Sequence, residues 1–282
     1  MNSRVLNRSR APEPANSDTV PVQEHGAGAV VKPITPAAAP PRIKVWDLPT
    51  RLFHWSLVVA FTVAVVSGEL GGEWMALHGK AGLAIVGLVA FRLVWGVVGS
   101  TYARFASFVP TPARLRAYAK GRWEADGRHG HNPLGALSVL ALLALLAVQA
   151  GSGLFANDDI AFTGPLYNLI GEDLAARLTG WHRQIAYALL ALVALHVAAI
   201  FVYLQLKKNN LITPMLTGWK ALRHDAQAPA AGRRRASPLA RALALVLALS
   251  VAAGAVVLAS GVWIAAPVPS APVVQQATTP AW

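Results

Sequence analysis

Five stretches of the chain stay apolar long enough to cross a bilayer, a distance that takes about 20 residues. They run from Leu52 to Leu70, His78 to Val98, Leu134 to Phe155, His182 to Leu206 and Leu239 to Ala265. The polar segments between them alternate in sign. Arg42, Lys44 and Arg51 precede the first stretch; Arg104, Arg114, Arg116, Lys120, Arg122 and Arg128 separate the second from the third. Lys207, Lys208, Lys220, Arg223 and the run Arg233 to Arg235 follow the fourth, whereas GELGGEW, NDD and GED mark the opposite connections as acidic. Basic connections stay on the cytoplasmic side, so the pattern predicts a cytoplasmic N-terminus and a C-terminus outside. In HNPLG, Asn132 stands where an N-cap belongs and Pro133 at the first helical position. The segment IAFTGPLYNLIGEDLAARLTG predicts an ordered outer loop with a short helix over the bundle.

Composition agrees. The 282 residues are 55% hydrophobic and 13% charged, with a mean hydropathy of +0.45, which places the chain among membrane proteins. A formal charge of +12 would suit nucleic acid, but basic residues set between long apolar runs fit topology better, so no nucleic-acid partner is expected. The chain has no cysteine, which excludes disulfides, thiolate metal sites and covalent haem attachment. The expected fold is all-α, a four-helix membrane bundle over 42–208 with an additional C-terminal transmembrane helix over 239–266. Residues 1–41, polar and then rich in Ala and Pro, read as a disordered cytoplasmic tail. Residues 209–238 read as a basic cytoplasmic linker and 267–282 as a periplasmic tail.

The chemistry lies in four histidines. His182 and His196 are fourteen residues apart in the fourth span, a rise of about 21 Å that returns to nearly the same face. They point alike at different depths and cannot share one metal ion. His78 opens the second span near the outer surface, level with His182; His54 lies early in the first, near the inner surface, as the partner of His196. Arg92 follows His78 by fourteen residues and reaches the depth of His196, where a bare charge needs a partner. Haem propionates would supply one; snorkelling to the inner surface is the plainer alternative. Gly79, Gly82 and Gly87 would admit a flat macrocycle or a neighbouring helix. Two imidazoles facing across a helical bundle describe a six-coordinate haem b, suited to electron transfer. Arg51 and Arg183, each beside a histidine, are candidate propionate contacts against a plain reading as surface charge. His129 and His131 read as solvated, with a quinone-site role as the sharper alternative. Trp46, Trp55, Trp74, Trp95 and Trp181 cluster at span ends, where interfacial anchoring is the default.

VWDLPTRLFHW, LHGKAGL with FRLVWGVVGSTYARFASF, GHNPLGALS with GSGLFANDD, and GPLYN before GWHRQIAYALLALVALHV together resemble the bacterial cytochrome b561 family, which includes the cytochrome b subunits of nickel–iron hydrogenases. The resemblance covers about residues 43 to 206. It implies a haem-binding bundle whose iron ligands fall on His54, His78, His182 and His196, paired as depth suggests. It also implies quinone or a membrane-associated dehydrogenase or hydrogenase at one end and a periplasmic cytochrome c at the other. The leading expectation is therefore a di-haem b electron carrier of the bacterial inner membrane, lipid-embedded, with no bond-making catalytic site. A cytochrome b anchor subunit of a hydrogenase-like respiratory complex is the first rival. A haem-free, histidine-based transporter is the second, and the scarcity of mid-span polar residues beyond Thr62, Ser67, Ser138 and Gln149 counts against it.

Overall fold

The computed structural model describes residues 42–122, 132–160, 162–221 and 237–264. The architecture is all-α: α1 (Leu48–Leu70), α2 (Met75–Val98), α3 (Pro112–Ala119), α4 (Pro133–Gly153), α5 (Glu172–Gln205), α6 (Ile212–Thr217) and α7 (Pro238–Ala259). Two three-residue strands, β1 (Arg42–Lys44) and β2 (Trp219–Ala221), pair antiparallel, with Ile43 opposite Lys220. Five helices, α1, α2, α4, α5 and α7, are long and apolar enough to cross a membrane. The chain is a multi-pass membrane protein.

Helix starts follow one local rule. Thr111, Asn132 and Ser237 each hold extended backbone ψ values and cap the next helix through a side-chain oxygen, each followed directly by proline. The cap spends an orphan amide and proline needs no hydrogen-bond partner at that position. Asp47 does the same for α1: its Oδ1 accepts from Thr50 N at 2.8 Å, and Pro49 follows two residues on.

The second helix is the hub. It packs against α1, α4 and α7, while α4 pairs with α5. Of the five long helices α2 is the most buried, and the other four turn most of their apolar side chains outward as lipid-facing helices do. Helices in lipid gain little from hydrophobicity and associate through close packing. Ala64, Ala81, Ile85, Val89, Leu143, Leu146 and Leu189 form one buried cluster; Phe91, Trp95, Ala103 and Ala248 form a second beneath α7. Gly87 is one of the close-approach points: a Cβ there would lie 2.7 Å from Val256 Cγ2.

Three features differ from the sequence reading. The short outer helix and the fourth span are one element, because α5 runs unbroken for 34 residues, about 51 Å, and carries His182 nearly three turns from its start rather than in its first turn. The outer loop is tied to those opening turns by Asn157 N donating to Thr179 Oγ1 at 3.1 Å. Trp95 is no interfacial anchor: only 4% exposed, it stacks on Phe91 and donates its indole N–H to Asp47 Oδ2 at 3.1 Å. The segment expected as a linker carries α6 and β2, and the amides of Val45 and Trp46 both donate to Gly218 O, at 2.9 and 3.3 Å. Gly218 sits at φ 87°, a left-handed conformation that glycine adopts without strain, and so turns α6 into the strand. The tail 1–41, His129 and His131 lie outside the described residues.

Candidate functional site

The bundle has two polar ends, an acidic one with Glu69, Glu73, Glu172 and Asp173 and a basic one with Arg42, Lys44, Lys207 and Lys208. At the acidic end α2 and α5 bring His78 and His182 together edge-on, with ring centroids 6.0 Å apart and planes at 81°. His78 Nδ1 donates to Ala64 O on α1 at 2.8 Å, and His182 Nδ1 donates to Gln149 O on α4 at 2.9 Å. A carbonyl only accepts, so each ring carries its proton on Nδ1 and keeps the Nε2 lone pair for another partner. An imidazole nitrogen binds a first-row metal at about 2 Å and the ring centre lies about 1 Å behind it, so rings on opposite sides of one iron have centres about 6 Å apart. The separation at this end fits that requirement. The Gln149 amide nitrogen stands 3.2 Å from His182 Nε2, and the Phe162 ring meets His78 edge-on with centroids 6.3 Å apart.

At the basic end α1 and α5 bring His54 and His196 within electrostatic range of each other, both half-buried. Trp55 lies edge-on to His54 with centroids 5.2 Å apart. Buried side-chain atoms without a hydrogen-bond partner gather here: Thr50 Oγ1, Arg51 Nε, His54 Nδ1 and Arg92 Nη1. Buried polar atoms are nearly always satisfied, so a group of them in one region asks for an acceptor. Arg92 does not snorkel. It is 4% exposed, with its guanidinium over the Phe105 ring at 4.8 Å and Asp47 as its counter-charge. Arg51 Nη1 donates to Leu216 O at 2.6 Å, tying α1 to α6. Arg183, beside His182, is exposed. Of the three arginines expected to reach haem carboxylates, Arg92 and Arg51 each keep a buried nitrogen without a partner and Arg183 is exposed. Thr50, not among the expected residues, adds a buried unpartnered hydroxyl.

The glycines divide. Gly87 faces α7 and Gly79 faces the Phe162 ring, whereas a Cβ on Gly82, one turn beyond His78, would meet no atom within 4 Å. Gly82 is thus the one of the three placed where a flat group has room.

Two groups escaped the sequence reading. Asp47 caps α1, and an Asp two residues before a proline is itself a helix-start signal. A polar knot also closes the basic end: the Tyr118 and Tyr203 hydroxyls share a hydrogen bond at 3.1 Å, and Asn132 Nδ2 donates to the same Tyr203 oxygen. That bond, with burial, raises the Tyr118 phenol above its ordinary pKa. No spacing rule foretells it, since the three residues come from α3, the α4 cap and α5.

Comparison with known proteins supplies an independent bearing. Residues 45–218 match the family model described as prokaryotic cytochrome b561. A probable Ni/Fe-hydrogenase B-type cytochrome subunit of Azotobacter chroococcum mcd 1 is 24% identical over 223 residues, covering 65% of this chain and 90% of that protein. A protein of the same description from Azotobacter vinelandii is 24% identical over 221 residues, with the same coverage. No solved structure matches.

Proposed function

This chain belongs to the prokaryotic cytochrome b561 family, and we propose that it passes electrons through a bacterial inner membrane on two b haems. His78 and His182 would ligate one haem at the acidic end, and His54 and His196 the other at the basic end. The observation that carries this reading is the 6.0 Å opposition of His78 and His182, each with Nδ1 committed to a backbone carbonyl. A haem between two histidines supplies reversible one-electron transfer and leaves no iron position open for bond-making chemistry. The protein's own work is holding and insulating. Carbonyl-anchored rings fix ligand direction, and Arg92 with Thr50 and Arg51 offers donors to the carboxylates of the basic-end haem. The basic end faces the cytoplasm by the charge rule, which puts the acidic end toward a periplasmic cytochrome c or another donor or acceptor, and quinone or a membrane-bound dehydrogenase at the other station.

A second reading is favoured by the relatives described as hydrogenase subunits, whose length this chain spans almost completely. In it the chain is the cytochrome b anchor of a hydrogenase-like complex, and a soluble metalloenzyme co-purifies with it. The test of the electron-carrier reading is the full-length chain expressed with haem available. Two low-spin b haems per chain are expected, with His182→Ala and His196→Ala each removing one and leaving the other. A preparation without b-type absorption, or loss of the same haem in both variants, overturns it.

A further inference from the structure

The acidic-end histidines are held by the same device twice. His78 Nδ1 bonds Ala64 O, and His182 Nδ1 bonds Gln149 O. Three residues after each accepting carbonyl comes a serine, Ser67 or Ser152, and four residues after it a glycine, Gly68 or Gly153. Three and four residues along a helix return to the same face, so carbonyl and bare Cα meet one ring with the hydroxyl on the same side of the helix. The glycines are required sterically: a Cβ at Gly68 would lie 2.9 Å from His78 Nδ1, and one at Gly153 would lie 2.8 Å from His182 Cε1. The serines are buried, at 1% and 6% exposure, and bond back into their own helices. Ser67 Oγ donates to Val63 O at 2.6 Å and stands 3.3 Å from Ala64 O; Ser152 Oγ donates to Gln149 O at 3.0 Å and stands 3.3 Å from His182 Nδ1. Ser152 Oγ thus donates to the carbonyl that His182 uses, and Ser67 Oγ, whose main acceptor is Val63 O, shares its proton with the carbonyl that His78 uses.

We propose that Ser67–Gly68 on α1 and Ser152–Gly153 on α4 are a matched pair of positioning cradles, which set the ring plane of His78 and His182, modulate the carbonyl bond that fixes their Nδ1–H tautomer, and so tune the acidic-end haem. The inference rests on the reading that these two histidines ligate haem. Its physical logic is a contest for one acceptor. A carbonyl oxygen has two lone pairs, and in a helix one already serves the amide four residues on. The hydroxyl and the imidazole N–H share what remains, so the serine weakens the imidazole bond. Removing the hydroxyl strengthens that bond, makes the ring a more basic ligand, and favours ferric iron. The basic-end pair lacks this arrangement, since His54 Nδ1 is buried without a partner. The two haems should therefore answer differently to the same substitutions.

The test uses the full-length, haem-loaded protein, first counting haems in the unsubstituted chain and then recording its low-spin electron paramagnetic resonance spectrum and redox titration. Ser67→Ala and Ser152→Ala should keep both haems and move one midpoint potential downward while the other stays. Gly68→Ala and Gly153→Ala should lose or alter one low-spin signal and spare the second. Gly151→Ala, where a Cβ meets no atom within 4 Å, should match the unsubstituted protein. If the unsubstituted chain binds two haems but neither serine variant shifts a potential, the cradle inference is overturned while the di-haem reading stands. The serine variants carry this decision even if the glycine variants do not accumulate. If the unsubstituted chain binds no haem, both ideas fall.

Discussion

Asp47 is the residue whose loss should be felt farthest from its own position. Its Oδ1 caps α1 through Thr50 N, its Oδ2 accepts the indole N–H of Trp95 near the end of α2, and its charge faces Arg92. Asp47→Ala removes all three. A lost N-cap costs about 1 kcal/mol. A hydrogen bond from a buried donor to a charged acceptor is worth about 1.5–3 kcal/mol. Together they put the destabilisation at about 3 kcal/mol, before any penalty for Arg92, because Trp95 at 4% exposure has no water to turn to. The share carried by the indole bond is isolated by a double-mutant cycle with Trp95→Phe, which keeps the ring stacked on Phe91 and deletes the donor. Equilibrium unfolding in mixed detergent micelles, followed by far-ultraviolet circular dichroism, should give a coupling of about 1.5 kcal/mol between the two substitutions. Additivity to within about 0.5 kcal/mol would falsify the claim that this carboxylate links the start of α1 to the end of α2.

Other consequences are more local. Gly87→Ile should overpack the α2–α7 contact and lower stability by about 1–3 kcal/mol, with Val256→Ala restoring part of it, as read by the unfolding midpoint. Lys220 on β2 has its pKa lowered by burial, so the folded chain binds fewer protons than the unfolded one between the two values. The strand pair should therefore gain stability as pH rises through that window and be weakest below it. Protection of the Val45 and Trp46 amides from hydrogen exchange, corrected for intrinsic rates, should rise accordingly, and Lys220→Met should flatten the trend.

The spans and the histidine pairing were legible because both rest on length and depth, quantities that a helix makes linear in sequence. Asn132 and Pro133 announced the start of α4 for a similar reason, since a cap is a contact of three residues' reach. What stayed hidden was set by neighbours in space. Trp95 carries the same signal at a span end as Trp74, yet Trp74 is 53% exposed while Trp95 is sealed by α7 and claimed by Asp47. The Ser–Gly dipeptide also ends α7, at Ser260–Gly261, where no ring lies against it; only the opposing histidine gives the pair a meaning. The outer segment was expected as an ordered loop with a short helix of its own, yet only Gly180 interrupts its join to the fourth span. Inside a long helix that interruption costs only about 1 kcal/mol, less than the tertiary contacts return.

The pairing of β1 with β2 bears on how the polypeptide is made. Arg42 must wait for Ala221 to leave the ribosome, by which time four helices have been threaded into the bilayer. Until then Val45 and Trp46 have no partner in Gly218, and the turn of α1 that bears His54 lacks its tether from Arg51 to Leu216. Closing so wide a loop after the fourth span makes this small ribbon a latch on the first four membrane helices. A chain stalled before residue 218 would hold every element that brings His78 and His182 together while its basic end still lacked the tether of Arg51 to Leu216.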